Sequence, residues 1–227
     1  MPIKPYTTLL ASNHDELIIN KSRFICYGCP AETEEEALSF LKQVRGIHPD
    51  ATHHCYAYAI GPNMGIMRYS DDGEPGGTAG LPMMEVVKNR GVTNCIVVVT
   101  RYFGGILLGA GGLVRAYAQG AALAIDACGT GVVYPTVRLM AEIDYPLLGR
   151  SEYFLKSQPV IVEDKTFTDK VTLTLLMRSS DEETFTSAFI SERYSLPSAE
   201  TRNESFLFPA AANVYSSRHV RTPSESV

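Results

Sequence analysis

Apolar positions along the chain come in blocks with two kinds of spacing, every second residue and every third or fourth, and the blocks predict the elements. Glu16 to Asn20 and Arg23 to Cys29 read as two short strands around a turn. Thr33 and Glu36 form a capping box for a helix whose apolar stripe is Ala37, Phe40, Leu41 and Val44, with Gly46 as its stop. His53 to Ile60 predicts a strand, and Met64 to Tyr69 its hairpin partner across Gly61-Pro62-Asn63. Asp71 to Gly80 is a loop, and Pro82 suits the first turn of a helix that ends before Gly91. Cys95 to Thr100 is an unbroken β-branched run and reads as a buried central strand. An alanine-rich helix, apolar on most sides, follows from Gly112 to Cys128.

Tyr134-Pro135 interrupts the pattern and marks a domain junction. Beyond it, Thr136 to Tyr145 alternates, with Val137, Leu139, Ala141 and Ile143 on one face. A helix over Leu147 to Ser157, a hairpin of Val160–Phe167 with Val171–Met177, a helix capped by Ser180 and Glu183, and an extended Tyr194–Phe208 complete the unit. Its order is β-α-β-β-α-β, the ferredoxin-like plan. The expected organisation is α+β in two domains, 1–135 and 136–208, followed by a mobile tail over 209–227 that has no apolar periodicity.

Charge removes one large class of function. The net charge is −5, and residues 1–135 carry ten Lys and Arg against twelve Asp and Glu. A protein that neutralises many backbone phosphates needs a basic excess, so DNA and bulk nucleic-acid binding are not expected. Five cysteines, an odd number, favour reduced thiols over a disulfide framework. No apolar leader stands at the N-terminus, and Phe103 to Cys128 carries Arg115 and Gln119 where a membrane span would be apolar. The expectation is a cytoplasmic protein without membrane association.

Two segments carry chemistry. Ser70 to Gly80 sets Asp71, Asp72 and Glu74 within four residues among Gly73, Gly76, Gly77 and Gly80, ending in Thr78-Ala79-Gly80. Such a loop suits a hard cation or polar ligand, or is a turn whose aspartates cap backbone N–H groups; the second reading is favoured. Arg101 to Tyr117 joins strand to helix through Gly104, Gly105, Gly109, Gly111 and Gly112. It offers free N–H groups at a helix N-terminus with Arg101 and Arg115 alongside, which is an anion site, or it is tight packing that needs small residues. It is neither a Walker A loop nor a dinucleotide fingerprint. His53 and His54 point to opposite faces of their strand, so one of them can face a given site. Cys26 and Cys29 form a lone CxxC on a strand, and no metal or other cofactor is expected.

The segments INKSRFI, DATHHCYAYAIG, DDGEPGGTAGLPM and VVVTRYFGGILLGAGGLVRAYAQGA resemble the YigZ/IMPACT family. The likeness runs from Leu17 to Ala127, and the second half resembles the C-terminal domain of bacterial YigZ-type members. It implies a first domain similar to a small-subunit ribosomal protein domain and to domain IV of elongation factor G, and a ferredoxin-like second domain similar to its domain V. It further implies regulation of translation without catalysis, with structured RNA, the ribosome or a translation-related protein as partner. The signature places the ligand-binding residues at His53, Asp71, Asp72, Glu74, Thr78, Arg101, Tyr102, Gly104, Gly105, Gly109, Gly111, Gly112 and Arg115, and it also covers Gly73, Pro75, Ala79, Gly80, Leu113 and Tyr117. Gly76 departs from the serine frequent in these proteins, so no hydroxyl acts there. The rival is an enzyme acting on a small phosphorylated or peptide-like ligand in a cleft between the two loops, and a third reading is a protein-interaction module. The two loops are expected to face one another as a single ligand surface, which puts Arg101 and Arg115 near Asp71, Asp72 and Glu74.

Overall fold

The computed structural model describes residues 4–191, 195–198 and 204–209. The chain is α+β and divides into two compact units, Pro5–Val132 and the chain from Val133 on.

The first unit follows a short strand β1 (Tyr6–Leu9) with β2 (Asn13–Ile19), β3 (Ser22–Pro30), α1 (Glu34–Ile47), β4 (His53–Ile60), β5 (Ile66–Ser70), α2 (Gly80–Asn89), β6 (Cys95–Tyr102) and α3 (Ala110–Cys128). Five strands form one antiparallel sheet in the order β2-β3-β6-β4-β5. The apolar run in β6 is explained by cover on both faces. Cys95, Val97 and Val99 pack with Met83, Val87, Ala116, Tyr117 and Ala121 of α2 and α3. Ile96 and Val98 pack with Ala37, Leu41 and Val44 of α1. An antiparallel sheet usually alternates polar and apolar positions because one face meets water; along β6 neither face does.

Helix α1 starts as its sequence predicts. Thr33 Oγ1 accepts from Glu36 N at 3.2 Å, while the Glu36 carboxylate reaches one residue beyond the expected box, to Glu32 N at 2.7 Å. The helix runs through Gly46 to Ile47, because an exposed glycine weakens a helix without breaking it. Helix α3 begins at Ala110, two residues earlier than the sequence pattern suggests.

The second unit is built on β7 (Thr130–Ile143), α4 (Leu148–Leu155), β8 (Val160–Phe167), β9 (Val171–Arg178), α5 (Glu182–Ser191), β10 (Ser195–Ser198) and β11 (Glu204–Pro209). The strand order β7-β9-β8, with β10 and β11 both paired to β7, follows the β-α-β-β-α-β plan. Val137, Leu139, Ala141 and Ile143 face Val171, Leu173, Leu175 and Met177 under Phe185 and Phe189 of α5. Two expectations need correction. Tyr134-Pro135 does not interrupt the strand: Pro135 lies inside β7, one residue before the β7–β9 ladder opens at Thr136, where its missing N–H costs that ladder nothing. Ser180 does not stand at the N-cap of α5: it lies inside a short 3-10 turn over Ser179–Asp181, and the helix opens at Glu182. Of the tail expected over 209–227, only Pro209 is among the described residues. Among those residues no helix is long and apolar enough to cross a membrane.

Candidate functional site

The acidic loop turns sharply after β5, with Asp72 at φ 43° and Gly73 at φ 89°. Its three carboxylates go to three different places. Asp71 Oδ1 accepts from Ala79 N at 3.0 Å and Gly80 N at 2.8 Å, and Oδ2 from Gly77 N at 2.9 Å. It thereby closes the start of α2, whose N-cap residue Ala79 has no side chain able to do so. Burial pushes the Asp71 carboxyl up, but the N–H groups of Gly77, Gly80 and Ala79 outweigh it and leave the group below its ordinary value. Asp72 accepts from Arg45 at 2.8 Å and from His54 N at 2.7 Å, and its carbonyl accepts from His53 Nδ1 at 2.8 Å. Thr78 Oγ1 donates to Pro75 O at 2.6 Å, closing the loop on itself. Among the described residues no three His, Cys, Asp or Glu groups gather as a metal cage.

Glu74 is the member of the loop that turns inward, with its side chain 3% exposed. Arg101 Nη1 donates to its Oε1 at 2.6 Å and Tyr117 OH donates to the same oxygen at 2.7 Å, with His53 Nε2 3.8 Å away. Arg101 Nη2 reaches Ser22 Oγ at 3.3 Å, and the guanidinium lies 5.4 Å from the ring centres of both Phe24 and Phe103. Its Nε is buried and has no hydrogen-bond partner among the described residues.

The two loops adjoin, and a cavity of about 380 Å³ opens between them. Thr52, His53, Glu74 and Arg101 make its polar side. Pro75, Phe103, Leu107, Leu108 and Leu113 make its apolar side, and Gly109 and Ala110 bring the start of α3 to it. Phe103 and Leu107 of that side are exposed to solvent, Leu107 with 84% of its surface, and Ile106 of the same loop is exposed as well.

Of the residues singled out in the sequence, His53, Glu74, Arg101 and Gly109 line this cavity. Asp71, Asp72 and Thr78 hold the loop that presents Glu74. Tyr102, next to Arg101 on β6, lies on the other face, where its hydroxyl meets His48 Nδ1 at 2.9 Å. Arg115 is exposed and does not line the cavity, because the early start of α3 carries it into the second turn. The arginines therefore do not both meet the acidic residues: Arg101 takes Glu74, and Asp72 is taken by Arg45. Sequence reasoning missed Arg45, for which no signal exists, and Ser22, which stands within the INKSRFI segment.

The glycines divide between the two readings given to them. A side chain at Gly104 would lie 2.1 Å from the Lys21 backbone, so there the need is close packing. Around Gly109 nothing lies within 4 Å, but its φ of 70° with ψ of 164° belongs to glycine alone. The thiols are not poised for chemistry: burial pushes Cys26, Cys55 and Cys95 up to about 12, so they stay protonated. Burial, then the neighbouring Cys55 and Glu74, also raises the Tyr117 hydroxyl, which keeps its proton and donates it to Glu74.

The Impact N-terminal domain model matches residues 20–125, and a domain of unknown function, DUF1949, matches 142–191. The chain is 42% identical over 167 residues to the IMPACT family member YvyE of Bacillus subtilis, covering 73% of this chain and 76% of that protein. It is 39% identical over 165 residues to an IMPACT family member of Thermus thermophilus, covering 73% and 89%, and 42% identical over 139 residues to YigZ of Escherichia coli, covering 60% and 68%. A crystal structure of a hypothetical protein, 33% identical, aligns over 88% of this chain and 99% of its own with a TM-score of 0.57.

Proposed function

The chain belongs to the IMPACT family, and from that premise we propose that it is a non-enzymatic binding protein associated with translation, which docks on a protein surface of the ribosome or of a translation factor through its glycine loop. One observation carries the reading. Phe103 and Leu107 are exposed on the apolar side of the cavity, and Ile106 of the same loop is exposed too, while Glu74 and Arg101 on the polar side neutralise each other. Exposed apolar side chains close together in one strand–helix connection are what a protein partner buries, and they offer little to a phosphate backbone. The net charge of −5 points the same way, so contact with structured RNA is the secondary part of this reading.

Co-sedimentation of the full chain with purified ribosomes and with ribosome-free translation factors tests it. Binding that survives 0.5 M salt, as an order-of-magnitude high-salt condition, and is lost in Leu107→Glu supports the proposal, because apolar contacts are not screened. Binding that salt abolishes and Leu107→Glu leaves intact points to RNA, and no binding sinks the reading. The enzymatic alternative is favoured by the placement of His53 beside Glu74 on the cavity wall, and turnover abolished by His53→Gln would establish it.

A further inference from the structure

We propose that the cavity between the two loops is a binding site for the primary carboxamide group of a ligand with an aliphatic body. This rests on reading the first domain as a binding domain rather than a catalyst. It is carried by two hydrogen-bond acceptors on the cavity wall that the fold leaves without donors.

The first is His53 Nε2. Nδ1 of that ring meets the Asp72 carbonyl at 2.8 Å, and a carbonyl only accepts, so Nδ1 carries the proton and the neutral ring keeps a bare lone pair at Nε2. Nε2 stands 3.8 Å from Glu74 Oε1, another acceptor, with no hydrogen between them in the neutral ring. The second is Glu74 Oε2. The side chain is 3% exposed, and both donors that reach it, Arg101 Nη1 and Tyr117 OH, go to Oε1. Among the described residues of the first unit, Arg101 Nε is the one fully buried side-chain nitrogen or oxygen without a hydrogen-bond partner. Nε2 and Oε2 lack a partner too, so both are reached by solvent, and the opening that His53 and Glu74 share is the cavity. A carboxylate oxygen on a side chain this deeply buried gains from any donor that a ligand brings.

Two acceptors call for two hydrogens. Oε2 shares its carbon with Oε1, so it and Nε2 fall within the span of one NH2 group, whose two N–H bonds serve acceptors about 5 Å apart. That group has to be uncharged. Arg101 already neutralises Glu74, and an ammonium ion would meet the guanidinium held 2.6 Å from the same carboxylate. A carboxylate or phosphate would bring acceptors to acceptors. The opposite wall selects the body. Pro75, Leu107, Leu108 and Leu113 are aliphatic, and the Phe103 ring already has the Arg101 guanidinium 5.4 Å from its centre, so the wall matches an alkyl chain better than a flat base. The volume of about 380 Å³ falls at the lower end of small-molecule sites, which suits a short chain.

The test is titration of the purified full chain, with isotope-labelled histidine rings followed by nitrogen NMR, against hexanamide, N,N-dimethylhexanamide, hexanoate, hexylammonium, adenosine and acetamide. The expected result is a saturable shift of the His53 Nε2 resonance with hexanamide, and affinities at least about tenfold weaker for the other five. His53→Phe keeps a ring and removes the acceptor, and should weaken hexanamide at least about tenfold. Leu107→Ser should narrow the preference for hexanamide over acetamide. Should His53→Phe fail to fold, the Nε2 resonance of the unaltered chain decides alone. A free amide and the side chain of a partner's Asn or Gln bring the same group. A Leu-Gln-Leu peptide blocked at both ends as tertiary amides, set against its Leu-Glu-Leu analogue, separates them, since only a protein source has the Gln peptide bind more tightly than hexanamide. Equal binding of hexanamide and its dimethyl analogue, tighter binding of hexanoate, hexylammonium or adenosine, or saturation with no movement of the Nε2 resonance would each overturn the assignment. The titration is read on the isolated chain, so its failure is distinct from a failure to associate with ribosomes or factors. Hydrolysis of the bound hexanamide would keep the site and sink the non-enzymatic reading.

Discussion

Arg101 and Glu74 show how one buried pair can turn a surface motif into an architectural one. With side chains 5% and 3% exposed, neither ion can be removed alone without leaving the other charged in a dry place. Arg101→Ala should cost about 3–5 kcal/mol in chemical denaturation, far more than the loss of an exposed ligand-binding arginine. The double variant Arg101→Met, Glu74→Gln should recover much of that loss, and a strictly additive result would show that the pair is not coupled. Asp71 is a second residue whose work is internal. Its three backbone N–H donors put its folded value below the ordinary 3.8, so the ion contributes stability that is fully present above the unfolded value and lost as pH falls through the folded one. Asp71→Asn should lower stability by about 1–2 kcal/mol at neutral pH and flatten the acid limb of the stability profile below about pH 4. An acid limb unchanged by the substitution would show that other carboxylates set it.

From β2 on, the elements of the first unit were largely legible because their apolar patterns were clear, although α1 runs past its stop signal at Gly46 and the short β1 had no pattern to show it. The alternating face of β7 was legible too, down to Val137, Leu139, Ala141 and Ile143. What the sequence could not yield was where side chains of unlike elements meet. Three neighbouring carboxylates in a row gave no sign that Asp71 would turn to α2, Asp72 to Arg45 on α1 and Glu74 to Arg101 on β6. Reading Pro135 as a break failed because a proline disrupts a strand only where its N–H is needed. The glycine loop was ambiguous for a similar reason: one residue type serves two needs that only coordinates separate. Gly104→Ala should therefore destabilise, since its Cβ would meet the Lys21 and Ser22 backbone at 2.1–2.5 Å, which cannot give way as a side-chain tip can. Gly111→Ala has only the Arg115 guanidinium at 3.6 Å before it and gains helix propensity, so its melting temperature should hold or rise. Equal losses in the two variants would mean that the loop tolerates no side chain for some reason other than the neighbours named.

At the scale of the whole molecule, the buried cores are the guide to what folds alone. The two cores on either face of the five-stranded sheet draw all their buried members from Leu9 to Cys128, and the core under α4 and α5 draws its own from Val137 to Phe189. No buried member is shared, so neither core needs the other to close. A boundary at 135/136 is proposed on that basis, even though β7 runs unbroken from Thr130 to Ile143. A boundary inside a strand changes what limited proteolysis can show: an extended, hydrogen-bonded segment does not enter a protease, so cleavage at Tyr134-Pro135 is not expected in the native chain. The sharper measurement is expression of residues 1–135. That fragment keeps the sheet, α1, α2, α3 and every residue lining the cavity, and it should unfold in one cooperative step. Native-state labelling gives an independent check, because Cys26, Cys55 and Cys95 are buried, their thiols are pushed well above the ordinary value, and they should stay unreactive toward a thiol reagent at pH 8 in the fragment as in the full chain. A fragment that exposes those thiols or melts without cooperativity would show that the first core is completed by residues beyond 135, and the boundary would then have to be withdrawn.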